Sequence, residues 1–131
     1  MTLSFLVLLY IAFRLKQFAC DFLLQTNWMA LNKGRPGTQG YKALATHAAV
    51  HSWGTLIVVA LFIPSLWWLA VVDFFVHGTV DRVKGIITYK MNWDAHHRAF
   101  WISLGFDQEL HNFTHLFYIV FIVYQLGGII G

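Results

Sequence analysis

The chain reads as long apolar runs, each broken at regular places by single polar residues. A helix needs about 20 mostly apolar residues to cross the hydrocarbon of a bilayer. Four runs meet that need. The first lies within Leu3–Leu31, the second runs near Ala43–Ile63 and stops at Pro64, the third runs near Ser65–Val83, and the fourth near Leu104–Ile130. The stretch Gly34-Arg35-Pro36-Gly37 predicts a turn that closes the first hairpin. Residues 85–103 hold Lys90, Trp93, Arg98, Trp101 and the pair His96-His97, a mixture that suits a membrane interface. The expected fold is all-α: a polytopic membrane helical bundle of four transmembrane helices forming one integral domain over residues 1–131.

Composition sharpens this picture. Of the 131 residues, 58% are hydrophobic and 11% charged, against about a quarter charged in soluble domains. Cys20 is the only cysteine and excludes an internal disulfide. The net charge of +3 does not point to nucleic acid, because the basic residues sit between the apolar runs. There they act as topology signals. The first run lacks a basic start and a small-residue cleavage site, so it is not read as a signal peptide. Lys33, Arg35 and Lys42 follow the first run, and Arg82, Lys84, Lys90 and Arg98 follow the third. By the positive-inside rule, loops 33–42 and 82–98 are cytoplasmic and both termini lie outside. Arg14 and Lys16 interrupt the first run, each at a cost of about 2.5–3.5 kcal/mol at a helix centre. Either that helix is long and tilted, with Arg14 paired to Asp21, or its first half is interfacial or re-entrant.

The polar residues gather toward one face. Asp21 and Gln25 lie in the cytoplasmic half of the first run, and His47 and His51 in the first turns of the second. Asp73, His77 and Asp81 occupy the second half of the third, and Asp107, His111 and His115 begin the fourth. Residues four apart share a helix face, so His47/His51, His77/Asp81 and Asp107/His111 each present a pair of side chains. Imidazole and carboxylate are ligands for zinc, manganese or iron, and bundles build such sites from facing helices. One zinc takes about four ligands. The larger set here leaves two metals, or one metal with supporting carboxylates, as alternatives. Each residue singly has a plain structural reading as interhelical hydrogen-bonding glue. His115 reads as a satisfied core residue, Glu109 as solvated, His96 and His97 as loop residues, and the Trp and Phe side chains as lipid-facing.

The run Asp21-Phe22-Leu23-Leu24-Gln25-Thr26-Asn27-Trp28-Met29-Ala30, followed by Lys33, resembles the opening motif of a family of small bacterial and phage membrane proteins. That family is the domain of unknown function three-three-zero-seven. The resemblance continues at His47-x-x-x-His51, His77-x-x-x-Asp81-x-x-Lys84 and Phe106-Asp107-Gln108-x-Leu110-His111. It implies a compact integral membrane domain, with a bacterial inner membrane as its setting. It marks Asp21, Gln25, His47, His51, His77, Asp81, Lys84, Asp107 and His111 as motif positions. Asp73 and His115 fall outside the motif. The resemblance supplies no activity.

Three functional readings follow. The first is a metal-dependent membrane hydrolase acting on a lipid-like or amphipathic substrate. Its metal, zinc before others, would be held among His47, His51, His77, Asp81, Asp107 and His111. Asp21 would be a general base, and Gln25 and Lys84 would bind an anionic group of the substrate. The second is proton or metal-ion transport, which a chain this short would perform as a homo-oligomer. The third is an accessory subunit of a larger membrane complex, with pigment or haem contacts. The absence of a Cys-x-x-Cys-His sequence argues against covalent haem.

Overall fold

The computed structural model describes residues 2–127. Its α-helices are α1 (Leu3–Phe18), α2 (Asn27–Asn32), α3 (Gly37–Phe62), α4 (Leu69–Lys90) and α5 (Arg98–Gln125). No strand occurs among the described residues. α1 runs unbroken through Arg14 and Lys16 and continues as a π-helical turn, Ala19–Leu23. The wide turn is closed by a bond from the Leu24 N–H to the Ala19 carbonyl at 2.8 Å. The chain then breaks, and Thr26 restarts it by accepting the Met29 N–H at 3.3 Å. The first apolar run is therefore one helix to Leu23, within the expected bounds, followed by a separate short helix.

The other boundaries also moved. The helix expected at Ala43 begins at Gly37, because Gly37 adopts a φ of 80° that closes the preceding turn. His47 and His51 consequently sit several turns into α3. Pro64 ends α3 as expected and opens a short 3₁₀ turn, Pro64–Leu66. α4 starts at Leu69 and runs past Val83 to Lys90, and α5 starts at Arg98, before Leu104. The interfacial segment expected over 85–103 shrinks to residues 91–97, since both flanks are helix ends. The predicted end of the fourth run, at Ile130, lies outside the described residues.

The packing separates two environments along the bundle. At the Pro64 end, Leu9 and Phe13 of α1 meet Val58, Val59 and Ile63, then Leu66 and Leu69, then Ile119, Ile122 and Val123 of α5. This is an apolar core. Toward the α2 and α4–α5 turns the interior becomes polar, and Lys16, Gln17, Asp21, Lys33, His47, His51, Asp73, His77, Asp81, Asp107, His111 and His115 are all buried. The outside is the reverse. Leu61 is 77% exposed, Phe117 73% and Phe106 70%. The stretch Leu3–Leu23 and α3 are long and apolar enough to cross a membrane. α4 and α5 match them in length, but their polar positions keep them below the same standard, so two of the four expected spans meet it.

Candidate metal centre

The π-helical turn is what brings the first helix into the site. Lys16, Gln17, Cys20 and Asp21 are buried on either side of its start, and π-bulges are frequent at functional sites. Asp21 Oδ2 accepts the side-chain amides of Gln17 and Gln108, both at 2.6 Å. Two fixed N–H donors hold that carboxylate in one orientation. Its Oδ1 then lies 2.9 Å from His51 Nε2 and 3.2 Å from His47 Nε2. Arg14 does not pair with Asp21, as the tilted-helix reading required. The buried Arg14 Nη1 has no hydrogen-bond partner among the described residues.

Asp81 is the second hub. Its Oδ2 lies 2.9 Å from His47 Nε2, 3.0 Å from Lys33 Nζ and 3.6 Å from His77 Nε2. Its Oδ1 lies 3.6 Å from His111 Nε2, which in turn is 3.5 Å from Asp107 Oδ1. The rings of His51 and His77 stack with centroids 3.4 Å apart, and those of His77 and His111 at 3.8 Å. One imidazole from α3, one from α4 and one from α5 thus form a single pile.

The histidines are packed together but poorly satisfied. Both ring nitrogens of His47 and of His77, Nδ1 of His51 and Nε2 of His111 make no well-directed hydrogen bond among the described residues. This includes His47 Nε2, close as it is to two carboxylates. Buried polar atoms are nearly always paired, and an unpaired one costs about 1–3 kcal/mol. So many on four touching rings argues that something else is meant to occupy the lone pairs. Ligand atoms from Asp21, His47, His51 and His77 lie within 4.8 Å of one another, as do those from His77, Asp81 and His111. Four ligands set tetrahedrally at about 2.0–2.1 Å from a zinc would be about 3.3 Å apart. The Asp21–His47 and Asp21–His51 separations, 3.2 and 2.9 Å, lie just below that value. The residues present therefore fit a divalent metal.

The other predicted residues are arranged around this cluster. Lys84, half-buried, lies 3.8 Å from Asp107 Oδ2. Gln25 stays outside, donating to the Asp21 main-chain carbonyl at 3.1 Å. His97 pairs with Asp94 at 2.8 Å in the exposed 91–97 turn, well apart from the cluster. Asp73 and His115 belong to a second network one turn deeper. Lys16 Nζ lies 2.8 Å from Asp73 Oδ2 and 3.2 Å from His115 Nε2. Thr55 and Tyr118 also donate to Asp73, at 2.7 and 3.2 Å. Gln17, Gln108, Lys16, Lys33, Thr55 and Tyr118 are the participants that sequence reading missed. For Gln17 a signal existed, since it precedes Asp21 by one helical turn.

A groove of about 540 Å³ opens between α4 and α5. Val83, Ile87, Trp93, Ile102, Phe106 and Leu110 form apolar walls, and Lys84 and Asp107 also line it. It therefore reaches the edge of the histidine cluster.

The family model described as a protein of unknown function (DUF3307) matches residues 6–129. The chain belongs to this family. Its match spans every helix that contributes to the site. No curated protein and no solved structure matches the chain.

Proposed function

We propose that this protein is a metal-dependent membrane hydrolase whose substrate is lipid-like or amphipathic. The observation that carries the proposal is the set of unpartnered, buried ring nitrogens gathered around Asp21 and Asp81. His47, His51 and His77, with Asp21, would hold the ion. Asp21 is better suited to ligation than to the general-base role, because two amides fix its carboxylate. When bound, a divalent ion supplies an activated water near neutral pH and polarises a phosphoryl or acyl oxygen. Asp107, with an unpartnered Oδ1 3.5 Å from His111 Nε2 beside the groove, would serve as a further ligand. Lys84 supplies positive charge for an anionic group at the same edge. The apolar walls of the groove suit a hydrocarbon chain. Gln25, which donates to the Asp21 carbonyl, would support the backbone there.

In this reading the inverted surface faces lipid, and α4 and α5 cross the bilayer alongside the two more apolar helices. Their polar residues point into the bundle, where burying charge is tolerated. The turns carrying Lys33, Arg35, Lys42, Arg82, Lys84, Lys90 and Arg98 face the cytoplasm of a bacterial inner membrane, and the Pro64 turn faces outward. The apolar core at the Pro64 end closes the polar interior, which favours a dead-end reaction site over a conduction path.

Elemental analysis of detergent-purified protein tests the proposal. At least one equivalent of a transition metal is expected, with zinc first, falling severalfold in His51→Ala. Metal well below one equivalent, together with unchanged thermal stability in His51→Ala and His77→Ala, would leave a hydrogen-bonded network as the better account.

A further inference from the structure

We infer that the cluster is built for two divalent ions, with Asp81 bridging them. The inference rests on the metal-site reading above and extends it. The first ion would take Asp21, His47 and His51; the second would sit between Asp81 and His111, with Asp107 beside it.

The second position stands on its own observations. His111 Nε2, Asp81 Oδ1 and Asp107 Oδ1 are three atoms on buried residues, and none has a hydrogen-bond partner among the described residues. His111 Nε2 lies 3.6 Å from the Asp81 oxygen and 3.5 Å from the Asp107 oxygen. Those gaps are long for hydrogen bonds but close to the edge of a tetrahedron around a small cation, about 3.3 Å. His77, Asp81 and His111 also converge as a second group, which shares only His77 with the one around Asp21.

Asp81 joins the two halves because its oxygens face different ways. Oδ2 is 2.9 Å from His47 Nε2, on the side of the first ion, whereas Oδ1 faces His111. A carboxylate can place one oxygen on each of two ions, and paired ions about 3.5–4 Å apart are a recurring hydrolytic arrangement. His77 lies between, common to both groups, with both ring nitrogens unpartnered.

Charge then says something about the substrate. Asp21, Asp81 and Asp107 contribute three negative charges, and Lys33 and Lys84 contribute two positive ones close by. Two divalent ions would leave the pocket clearly positive in a medium that screens poorly. A phosphoryl group, with its multiple negative charge, would balance that excess better than a neutral ester. Lys84, at the groove, stands where such a group would enter. The substrate class this favours is an amphipathic phosphate ester.

The test is metal stoichiometry on chelator-stripped full-length protein, titrated with Mn²⁺ and followed by calorimetry and electron paramagnetic resonance. Two equivalents should bind, and the fully loaded sample should show the spectrum of interacting ions. His111→Ala and, as the gentler change, Asp107→Asn should each reduce binding from two equivalents to one and abolish the interaction signal. One equivalent in the unaltered protein, unaffected by either substitution, would overturn the second site while leaving the first intact. No binding at all would overturn the metal reading itself. Two equivalents with non-interacting spectra would remove Asp81 as the bridge.

Discussion

Lys16 shows how much a single side chain depends on partners far away in sequence. Read alone, it is a charge in the wrong place, interrupting an apolar run. In the structure it is buried and paired with Asp73, while Thr55, Tyr118 and His115 complete the network. No local spacing links Lys16 to a residue 57 positions on, so the pair was invisible to the periodicity that exposed the histidines. His47/His51, His77/Asp81 and Asp107/His111 were legible because each pair lies one helical turn apart. Breaking a buried pair by removing one member costs about 3–5 kcal/mol, mostly from the charge left behind. Lys16→Met should therefore strongly lower the midpoint of thermal unfolding in detergent, and adding Asp73→Asn should restore much of the loss. Metal binding should survive in the double variant, since neither residue belongs to the cluster. If Lys16→Met alone proved as stable as the double variant, the ion pair would not be what holds this level together.

Among the helices, hydropathy made the all-α class and the Pro64 stop legible, but the helix ends were displaced by backbone chemistry that hydropathy does not register. The π-helical turn is one such case. Another is the docking of the turn before α3 onto α4. Arg82 donates to the Lys33 and Arg35 carbonyls at 3.1 and 2.8 Å, and its guanidinium stacks 4.6 Å over the Tyr41 ring. Gly34 and Gly85 meet backbone to backbone, so that a Cβ on Gly85 would lie 2.8 Å from Gly34 Cα. This closeness lets Lys33 reach Asp81. Gly85→Ala should push the turn away and destabilise the protein by about 1–3 kcal/mol, as overpacking generally does. It should also open the 33–37 backbone to proteolysis. Gly105→Ala is the matched control: it lies inside α5 with nothing within 4 Å of the added carbon, and should be neutral or gain about 0.5–1 kcal/mol. Equal effects of the two substitutions would mean that the turn is not held by close glycine contact.

The whole molecule turns a soluble protein inside out, with charges within and large apolar side chains without. Soluble monomers rarely expose contiguous apolar patches beyond about 300–600 Å². Here such side chains occur on every long helix: Leu8 and Leu15 on α1, Trp53 and Leu61 on α3, Phe75 and Ile87 on α4, Phe106 and Phe117 on α5. A bilayer would cover them. In the proposed four-span arrangement, the order of helices would set the sidedness. The α2–α3 and α4–α5 turns lie at one end and the Pro64 turn at the other. Every Lys and Arg except Arg14 and Lys16 falls at or near the first end, the distribution expected of a cytoplasmic face. Single cysteines at the exposed positions Gln39, Ser65 and Asn92, introduced with Cys20→Ser, would read this out. An impermeant maleimide applied to intact cells should label position 65 and spare 39 and 92, and permeabilised cells should label all three. Labelling of 39 and 92 alone in intact cells would invert the orientation. Labelling of 65 together with either of them would mean that α3 and α4 do not both cross, and the bundle would have to be placed at the membrane in another way.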